Sequence, residues 1–435
     1  MDCALQKGLD SFEIYQSLQS DREITWYNEQ MDTFVSSSIL GTSIRGVKDG
    51  NMANMALEQV DDALMESVID SLIEQIEIVS SEEKDFLRKP EKVEPVEINR
   101  IWNVPTPSYV QSVLKEIETK LLGYDRRVLQ VAYLSYQHSK GYREITNSYG
   151  IDLRDDDEIQ YIYASIVVGD NNDVKDAMSV RIIRDFDAFD VDELVSELCD
   201  KAIRKLNAHA ISSMKTPVIF ERNAMRSLFG AYVGLFSGEM IYKGISYLKD
   251  KENTKIFSDK ITIIDNPKNT DALTVASFDD EGCPTKEKIL VENGIYRQCL
   301  HSTKSALRMN TISTGNGFKS GYATSVSVQP LNCHIVPGDK SLDQLQKQMH
   351  TGLVINNLIG LHAGVDIVSG NFSLQCSGYW VEDGIPKDSI TLITVAGNFM
   401  ELMNLVEEVG NDLDWEYHSI TCPSIYFKEC AISGE

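Results

Sequence analysis

Hydrophobic positions along this chain follow two periods, and the switches between them outline its architecture. Over residues 11–57, apolar and polar residues alternate in the runs SFEIYQSL, REITWYNE, MDTFVSSS and GTSIRGVKDG, which predict short strands. The period then changes. Val60, Leu64, Met65, Val68, Ile69, Leu72, Ile73 and Ile76 fall on one stripe at 3.6-residue spacing and predict a helix over Val60–Ile76. A linker rich in Glu, Lys and Pro follows near Ser80–Pro107. Tyr109–Leu122 predicts a second amphipathic helix, with Val110, Val113, Leu114, Ile117 and Leu121 on one side. Strand patterns return in RRVLQVAYLSYQ, YREITNSYG, QYIYASIVVGD and AMSVRIIRD. Val191–Leu206 closes the unit as a helix whose Leu194, Val195, Leu198, Ala202 and Leu206 share a face. Strands then helix, twice over, fits a weak internal duplication and fits equally the repeated use of a common unit.

The second half reads differently. TPVIFE predicts a strand, and Ala224–Tyr247 a helical stretch interrupted near Ser237-Gly238. Beyond it the chain is mostly β. Asn293-Gly294, between KEKILVE and IYRQCL, predicts a hairpin, because a type I′ turn needs two residues that tolerate positive φ. Asp383-Gly384 marks another turn. Phe372, Leu374, Cys376, Gly378 and Trp380 alternate with polar residues, as in a strand with one buried face. A helix is expected over Phe399–Val409, with Gly410 as its C-cap. The fold class is therefore α+β. An N-terminal α+β domain spans residues 1–207, a β-rich domain spans 217–435, and the boundary falls in NAHAISSMKT. Sheet edges in such a chain need covering, so an extensive dimer interface made mainly by the C-terminal half is expected.

A length of 435 residues exceeds what one compact core organises. The sequence has no run of eighteen apolar residues and no basic-then-apolar leader at MDCALQKGLD, so a cytoplasmic protein is expected. Lys plus Arg total 41 against 66 Asp plus Glu, a net charge of −25. DNA and anionic membrane are poor partners for such a surface, whereas a basic peptide suits it. The eight cysteines are dispersed and form no CxxC pair, which fits reduced thiols in a core rather than a zinc ribbon.

Known catalytic patterns are mostly excluded. A zinc-protease helix needs His-Glu with a second His one turn on, and none of the seven histidines is followed by Glu. His362 and Asp366 are four apart, but Gly360 and Gly364 argue for a loop there. No GxSxG elbow occurs. Ser313–Gly317, STGNG, is glycine-rich yet lacks the GK[ST] ending of a phosphate cradle. Asp279-Asp280-Glu281-Gly282 is the densest acidic cluster, and charge alone predicts a solvated turn.

The motifs SGEMIYKGISYL, FDDEGCPT, STGNG, GLHAGVDIVSGNFSLQCSGYWVEDG, TVAGNFMELM, VGNDL, CPSIYF and AISG run in order through residues 217–435. In this set the chain resembles the TldD/PmbA family, specifically its PmbA (TldE) branch. The N-terminal half fits more loosely and aligns from within the family's first helix. The resemblance implies a link to metallopeptidases acting on unfolded or short peptides, and an old association with DNA gyrase modulation. TldD-type members carry an HExxxH motif and a later cysteine as zinc ligands, and PmbA-type members pair with them and lack these groups. Anchored on SGEMIYKGIS, the two histidines and the glutamate of that motif would fall at Phe229, Gly234 and Gly230. The resemblance thus implies no catalytic residue, no metal and no cofactor in this chain, with zinc in a TldD-like partner. A peptide substrate and a homo- or heterodimer are also implied. The candidate peptide-binding or structural positions are Asp279, Asp280, Glu281, Gly282, Thr314, Gly315, Asn316, His362, Gly370, Asn371 and Ser373. The helix over Ala224–Gly238 is expected to be buried, its glycine side close against a strand or a partner. The alternative is a stand-alone homodimeric peptide-binding or regulatory protein.

Overall fold

The structure, a computed structural model, describes residues 1–58, 64–78, 83–98, 100–415 and 418–435. The mixed α+β class expected from the patterns is what it shows.

The N-terminal sheet has six antiparallel strands. They are β1 (Ser11–Tyr27), β2 (Gln30–Lys48), β3 (Asn51–Leu57), β4 (Val128–Asn147), β5 (Asp152–Asp170) and β6 (Asp173–Ile182), in the order β3-β2-β1-β4-β5-β6. The short strands expected over residues 11–57 are two long ones, β1 and β2, followed by the shorter β3. Backbone pairing continues through the serine-rich stretches, with Ser17 opposite Gly41 and Ser20 opposite Ser38, because ladder hydrogen bonds need no apolar side chain. Asn28 and Glu29, both at positive φ, make the hairpin turn. RRVLQ and YREITN likewise merge into β4. They join through Gly141, where a Cβ would lie 2.0 Å from the Leu18 carbonyl oxygen.

Among the described residues, four α-helices accompany this sheet: α1 (Asp2–Gln6), α2 (Met65–Ile78), α3 (Pro107–Tyr124) and α4 (Val191–Ile203). Val60, expected to open α2, lies outside the described residues, as do Ser80 and Asn99 of the linker. Thr106 caps α3 by accepting the Tyr109 N–H, with Pro107 at the first turn. Asp190 caps α4 by accepting the Glu193 N–H. Leu194, Leu198 and Ala202 are 1%, 1% and 0% exposed, so the helical phase read from the sequence is correct. Each fully buried Leu or Val here contributes roughly 1.5–3 kcal/mol relative to exposure. α3 and α4 share one core with Ile24, Tyr136 and Ile162, and α2 packs with Phe12 and Ile44.

The second half holds β7 (Met214–Phe220), β8 (Ile263–Asp265), β9 (Lys288–Glu292), β10 (Ile295–Tyr296), β11 (Gly317–Phe318), β12 (Ser327–Val328) and β13 (Cys333–Ile335). Then come β14 (Gly352–Ile359), β15 (Asn371–Glu382), β16 (Ile385–Asn398), β17 (Val406–Val409), β18 (Ile420–Thr421) and β19 (Ile425–Ser433). One sheet runs β16-β15-β14-β7-β19-β17, and β16 also pairs with β19. That extra pairing, Val395 opposite Ile432, closes five strands into a ring. A second sheet runs β10-β9-β8-β13-β18. Both expected turns are present, with Asn293-Gly294 and Asp383-Gly384 all at positive φ.

The helices of this half are α5 (Arg222–Tyr232), α6 (Gly238–Tyr242), α7 (Thr303–Arg308), α8 (Leu342–Met349), α9 (Leu361–Gly364) and α10 (Phe399–Leu402). The helical stretch near Ala224 therefore breaks earlier than expected: α5 passes through a 3₁₀ turn, Val233–Phe236, before α6. The helix expected over Phe399–Val409 is one turn only. Val406–Val409 instead pairs with β19, with Val406 opposite Phe427, and Gly410 caps no helix. Edge pairing overrides local helical spacing there. In β15, Phe372, Leu374 and Cys376 are buried on the predicted face. Tyr379 and Val381, on the opposite face, are also buried, because α8 covers that end with Leu345 and Met349.

Candidate functional site

The acidic run is not a solvated turn. Asp279, Asp280 and Glu281 are 0%, 3% and 6% exposed, in a tight loop that Gly282 closes at φ +77°. Asp279 Oδ1 accepts the N–H groups of Glu281 (3.0 Å) and Cys283 (2.9 Å), and its Oδ2 accepts that of Gly317 (2.8 Å). Burial, with the Glu281 carboxylate beside it, pushes Asp279 above the ordinary carboxylate range against these three donors. Glu281 Oε2 accepts the Thr303 N–H at the start of α7, at 2.6 Å.

The buried charges find their partners on the N-terminal sheet. Arg143 of β4 reaches Asp280 Oδ1 (2.8 Å) and its strand neighbour Asp155 (2.9 Å), while its guanidinium lies 4.7 Å from the Phe278 ring centroid. Arg45 of β2 pairs with Glu13, directly opposite on β1, and approaches Glu281 at 3.9 Å. Lys319 donates to Ser43 and sits over the Tyr15 ring. Burial, then the nearby Arg45, lowers the Lys319 ammonium to about 8. This cluster joins the two halves of the molecule with hydrogen-bonded charges, not with a cleft. Its anchors Arg45, Arg143, Glu13 and Lys319 were not singled out by sequence reasoning. The available signal was two pairs of opposite charges at facing positions, Glu13 with Arg45 and Arg143 with Asp155.

Thr314, Gly315 and Asn316 adjoin this loop as a support. Asn316, fully buried, accepts from Lys288 Nζ (2.8 Å) and Thr314 Oγ1 (2.8 Å), and donates to Asp265 (3.0 Å) and the Gln329 carbonyl (3.0 Å). Lys288 and Asp265 form an ion pair at 2.8 Å with 1% and 0% side-chain exposure. Gly315 sits at φ +73°, where a Cβ would fall 2.6 Å from the Pro284 carbonyl oxygen. With every polar group of Asn316 engaged inside the protein, the segment holds the Asp279 loop in place.

A second group of candidates lies around α5. Phe229 is fully buried among Met225, Leu228 and the barrel strands. Among the described residues, and apart from the helix's own backbone, nothing lies within 4 Å of where a Gly230 Cβ would be, and Gly230 itself is half-buried. Gly234, in the 3₁₀ turn, faces the Ile367 and Met240 side chains rather than strand backbone. Of the glycine side expected to lie close against a strand or a partner chain, neither Gly230 nor Gly234 meets strand backbone among the described residues. A phenyl ring and two glycines present no ligand atom, so these three positions do not fit a zinc ion. Tyr232, on the apolar face of this helix, stacks on Phe399 at 4.3 Å and donates to the carbonyls of Gly370 (3.0 Å) and Asn371 (2.8 Å). It thereby ties α5 to the start of β15. Gly370 is buried, whereas His362, Asn371 and Ser373 are exposed. Asp366, whose carboxylate accepts from Val368 and Ser369, is held below its ordinary range by those hydrogen bonds. The structure thus separates the candidates into a buried loop pair, at 279–282 and 314–316, and a partly exposed rim beside α5.

Known proteins share this chain's sequence pattern and its fold. The profile of the PmbA/TldA metallopeptidase C-terminal domain matches residues 213–434, and that of the central domain matches residues 91–206. Metalloprotease PmbA of Escherichia coli O157:H7 is 28% identical over 332 residues, covering 76% of this chain and 71% of that protein. The crystal structure of TldE from Thermococcus kodakarensis superposes with a TM-score of 0.89 at 25% identity, covering 99% of this chain and 98% of that one. A Thermotoga maritima protein whose name makes it a modulator of a DNA gyrase superposes equally well, at 0.89 and 26% identity, covering 99% and 98%. This chain belongs to the PmbA/TldD metallopeptidase family and stands with its PmbA/TldE-like members.

Proposed function

We propose that this chain is the metal-free, PmbA/TldE-like subunit of a cytoplasmic two-component metallopeptidase that acts on unfolded or short peptides. The observation that carries the reading is the donor set of α5. Where the zinc-bearing branch has two histidines and a glutamate, α5 and the 3₁₀ turn after it present Phe229, Gly234 and Gly230, and Phe229 is core. Zinc and the general base then come from a TldD-like partner. The role of this chain is to complete the chamber and position the peptide. The exposed rim of His362, Asn371 and Ser373, beside α5, is the surface offered to that peptide or partner. Apolar side chains exposed near α6 and α7, among them Tyr242, Tyr247, Leu307 and Ile312, support a contact made by the C-terminal half.

A second reading, a stand-alone regulator without a protease role, draws on the gyrase link in the Thermotoga protein's name. The net charge of −25 argues against direct DNA contact in either case. The test is reconstitution with an HExxxH-bearing family member from the same genome. Co-elution as one complex, with peptide cleavage that requires both chains, is the expected result. Full cleavage by the partner alone, with no complex formed, would favour the second reading.

A further inference from the structure

Cys299, Leu300 and His301 lie between the end of β10 and the start of α7. Leu300 bridges to Ser237: its N–H donates to the Phe236 carbonyl and its carbonyl accepts the Gly238 N–H, both at 2.8 Å. In extended backbone, residues two apart point to one side, so Cys299 and His301 meet. Cys299 Sγ lies 3.1 Å from His301 Nε2. The imidazole is seated over Gly238, where a Cβ would overlap the ring. On its other side, Nδ1 lies 3.2 Å from Ser305 Oγ. That hydroxyl accepts the Ser302 N–H (3.0 Å) and donates to the Ser302 carbonyl (3.3 Å), so towards the ring it accepts. The network thus assigns the ring proton to Nδ1 and turns the Nε2 lone pair to the thiol. The Tyr296 hydroxyl hydrogen-bonds the same sulfur. Burial pushes the thiol above its ordinary value, against that hydroxyl, and lowers the imidazole, so the resting pair is a thiol beside a neutral base.

A free cysteine that only fills space behaves as a small hydrophobe and needs neither a base nor a donor. We propose that Cys299 is a nucleophilic thiol that reacts with hydroperoxides, with His301 as its general base and Ser305 as the residue that positions the ring. Nε2 takes the thiol proton as the sulfur lone pair attacks one peroxide oxygen. The S–O bond forms, the O–O bond breaks, and the leaving oxygen takes the proton back from the imidazolium. Hydrogen peroxide is reduced to water, and the sulfur is oxidised by two electrons to a sulfenic acid. The Tyr296 hydroxyl stabilises the charge that gathers on sulfur during attack. At 9% exposure Cys299 is the most open of the seven buried cysteines, which admits a small oxidant and excludes a bulky electrophile.

The experiment uses the full chain alone, so it stands apart from the proposed partnership with a zinc-bearing subunit. The reduced protein is exposed to hydrogen peroxide, sulfenic acid is trapped with a cyclic 1,3-diketone, and mass spectrometry of the digest reads each cysteine. Cys430, 7% exposed, controls for burial. Cys299 should be labelled roughly tenfold or more faster than Cys430, and His301→Gln should slow it about a hundredfold. In the wild type its rate should be flat from about pH 7 to about pH 9, because the base is already free there while the thiol stays protonated. An unassisted thiol instead gains about tenfold per pH unit below its own pKa. The pH profile needs no variant, so it decides even where His301→Gln fails to fold. Labelling of Cys299 no faster than of Cys430, a rate that climbs tenfold per unit to pH 9, or a folded His301→Gln chain as reactive as wild type would overturn the inference.

Discussion

Replacing Lys288 by methionine tests whether the STGNG segment is a support. The Lys288 ammonium is 1% exposed and uses its protons on Asp265 (2.8 Å), Asn316 (2.8 Å) and the Thr314 carbonyl (3.3 Å). Methionine fills much the same volume but leaves the Asp265 carboxylate buried with, among the described residues, two donors, Asn316 Nδ2 and the Leu331 N–H. Breaking a buried pair from one side costs about 3–5 kcal/mol, because an uncompensated charge remains. For a unit the size of the C-terminal half, that lowers Tm by roughly 6–20 °C. Asp265→Asn alone strands the ammonium and also destabilises. In the double variant Lys288→Met/Asp265→Asn both charges are gone, so its loss falls short of the summed single losses by about 0.5–3 kcal/mol. Urea unfolding followed by fluorescence, with Trp380 and Trp415 reporting on this half, measures all four members of the cycle. A Lys288→Met cost below about 1 kcal/mol, or strict additivity, would refute the reasoning.

Three further outcomes follow from the geometry. Tyr232→Phe removes the hydroxyl shared by the Gly370 and Asn371 carbonyls and costs about 1–2 kcal/mol in the same unfolding assay, without loss of the ring stack. Asp279 has its folded-state pKa raised from 3.8 by burial, so its stabilising share is full below that value and is lost as pH rises through the raised one. The advantage of wild type over Asp279→Asn should therefore shrink from about pH 4 towards neutrality, and a constant or growing advantage would contradict the assignment. Phe229→His/Gly230→Glu/Gly234→His should yield no zinc-dependent peptidase, because a further ligand and the groups that orient the ligands are missing too. Turnover in that triple variant would show a nearly complete site in this chain.

Helices α2, α3 and α4 of the N-terminal half were legible because each presents one apolar stripe to one sheet. Leu194, Leu198 and Ala202 needed no tertiary information to be placed. Strand lengths were not legible, since the serines of β1 and β2 are held by backbone pairing that leaves no hydrophobic trace. The Phe399–Val409 error has the same origin: Val406–Val409 takes its conformation from β19, distant in sequence. Closure of the barrel rests on β16 meeting β19, again a contact that no local pattern encodes. For the acidic loop, charge suggested water, and the structure answered with Arg143 and Arg45 from another sheet. A buried ion pair becomes readable only when both partners are known to face each other. The turns were read correctly because Asn-Gly and Asp-Gly are local solutions to positive φ.

The central claim is that zinc chemistry in this system does not belong to this chain. Purified alone, the full chain should carry no stoichiometric zinc by elemental analysis after dialysis against buffered zinc, and should leave a short unfolded peptide intact. Stoichiometric zinc together with robust cleavage by the isolated chain would contradict the account.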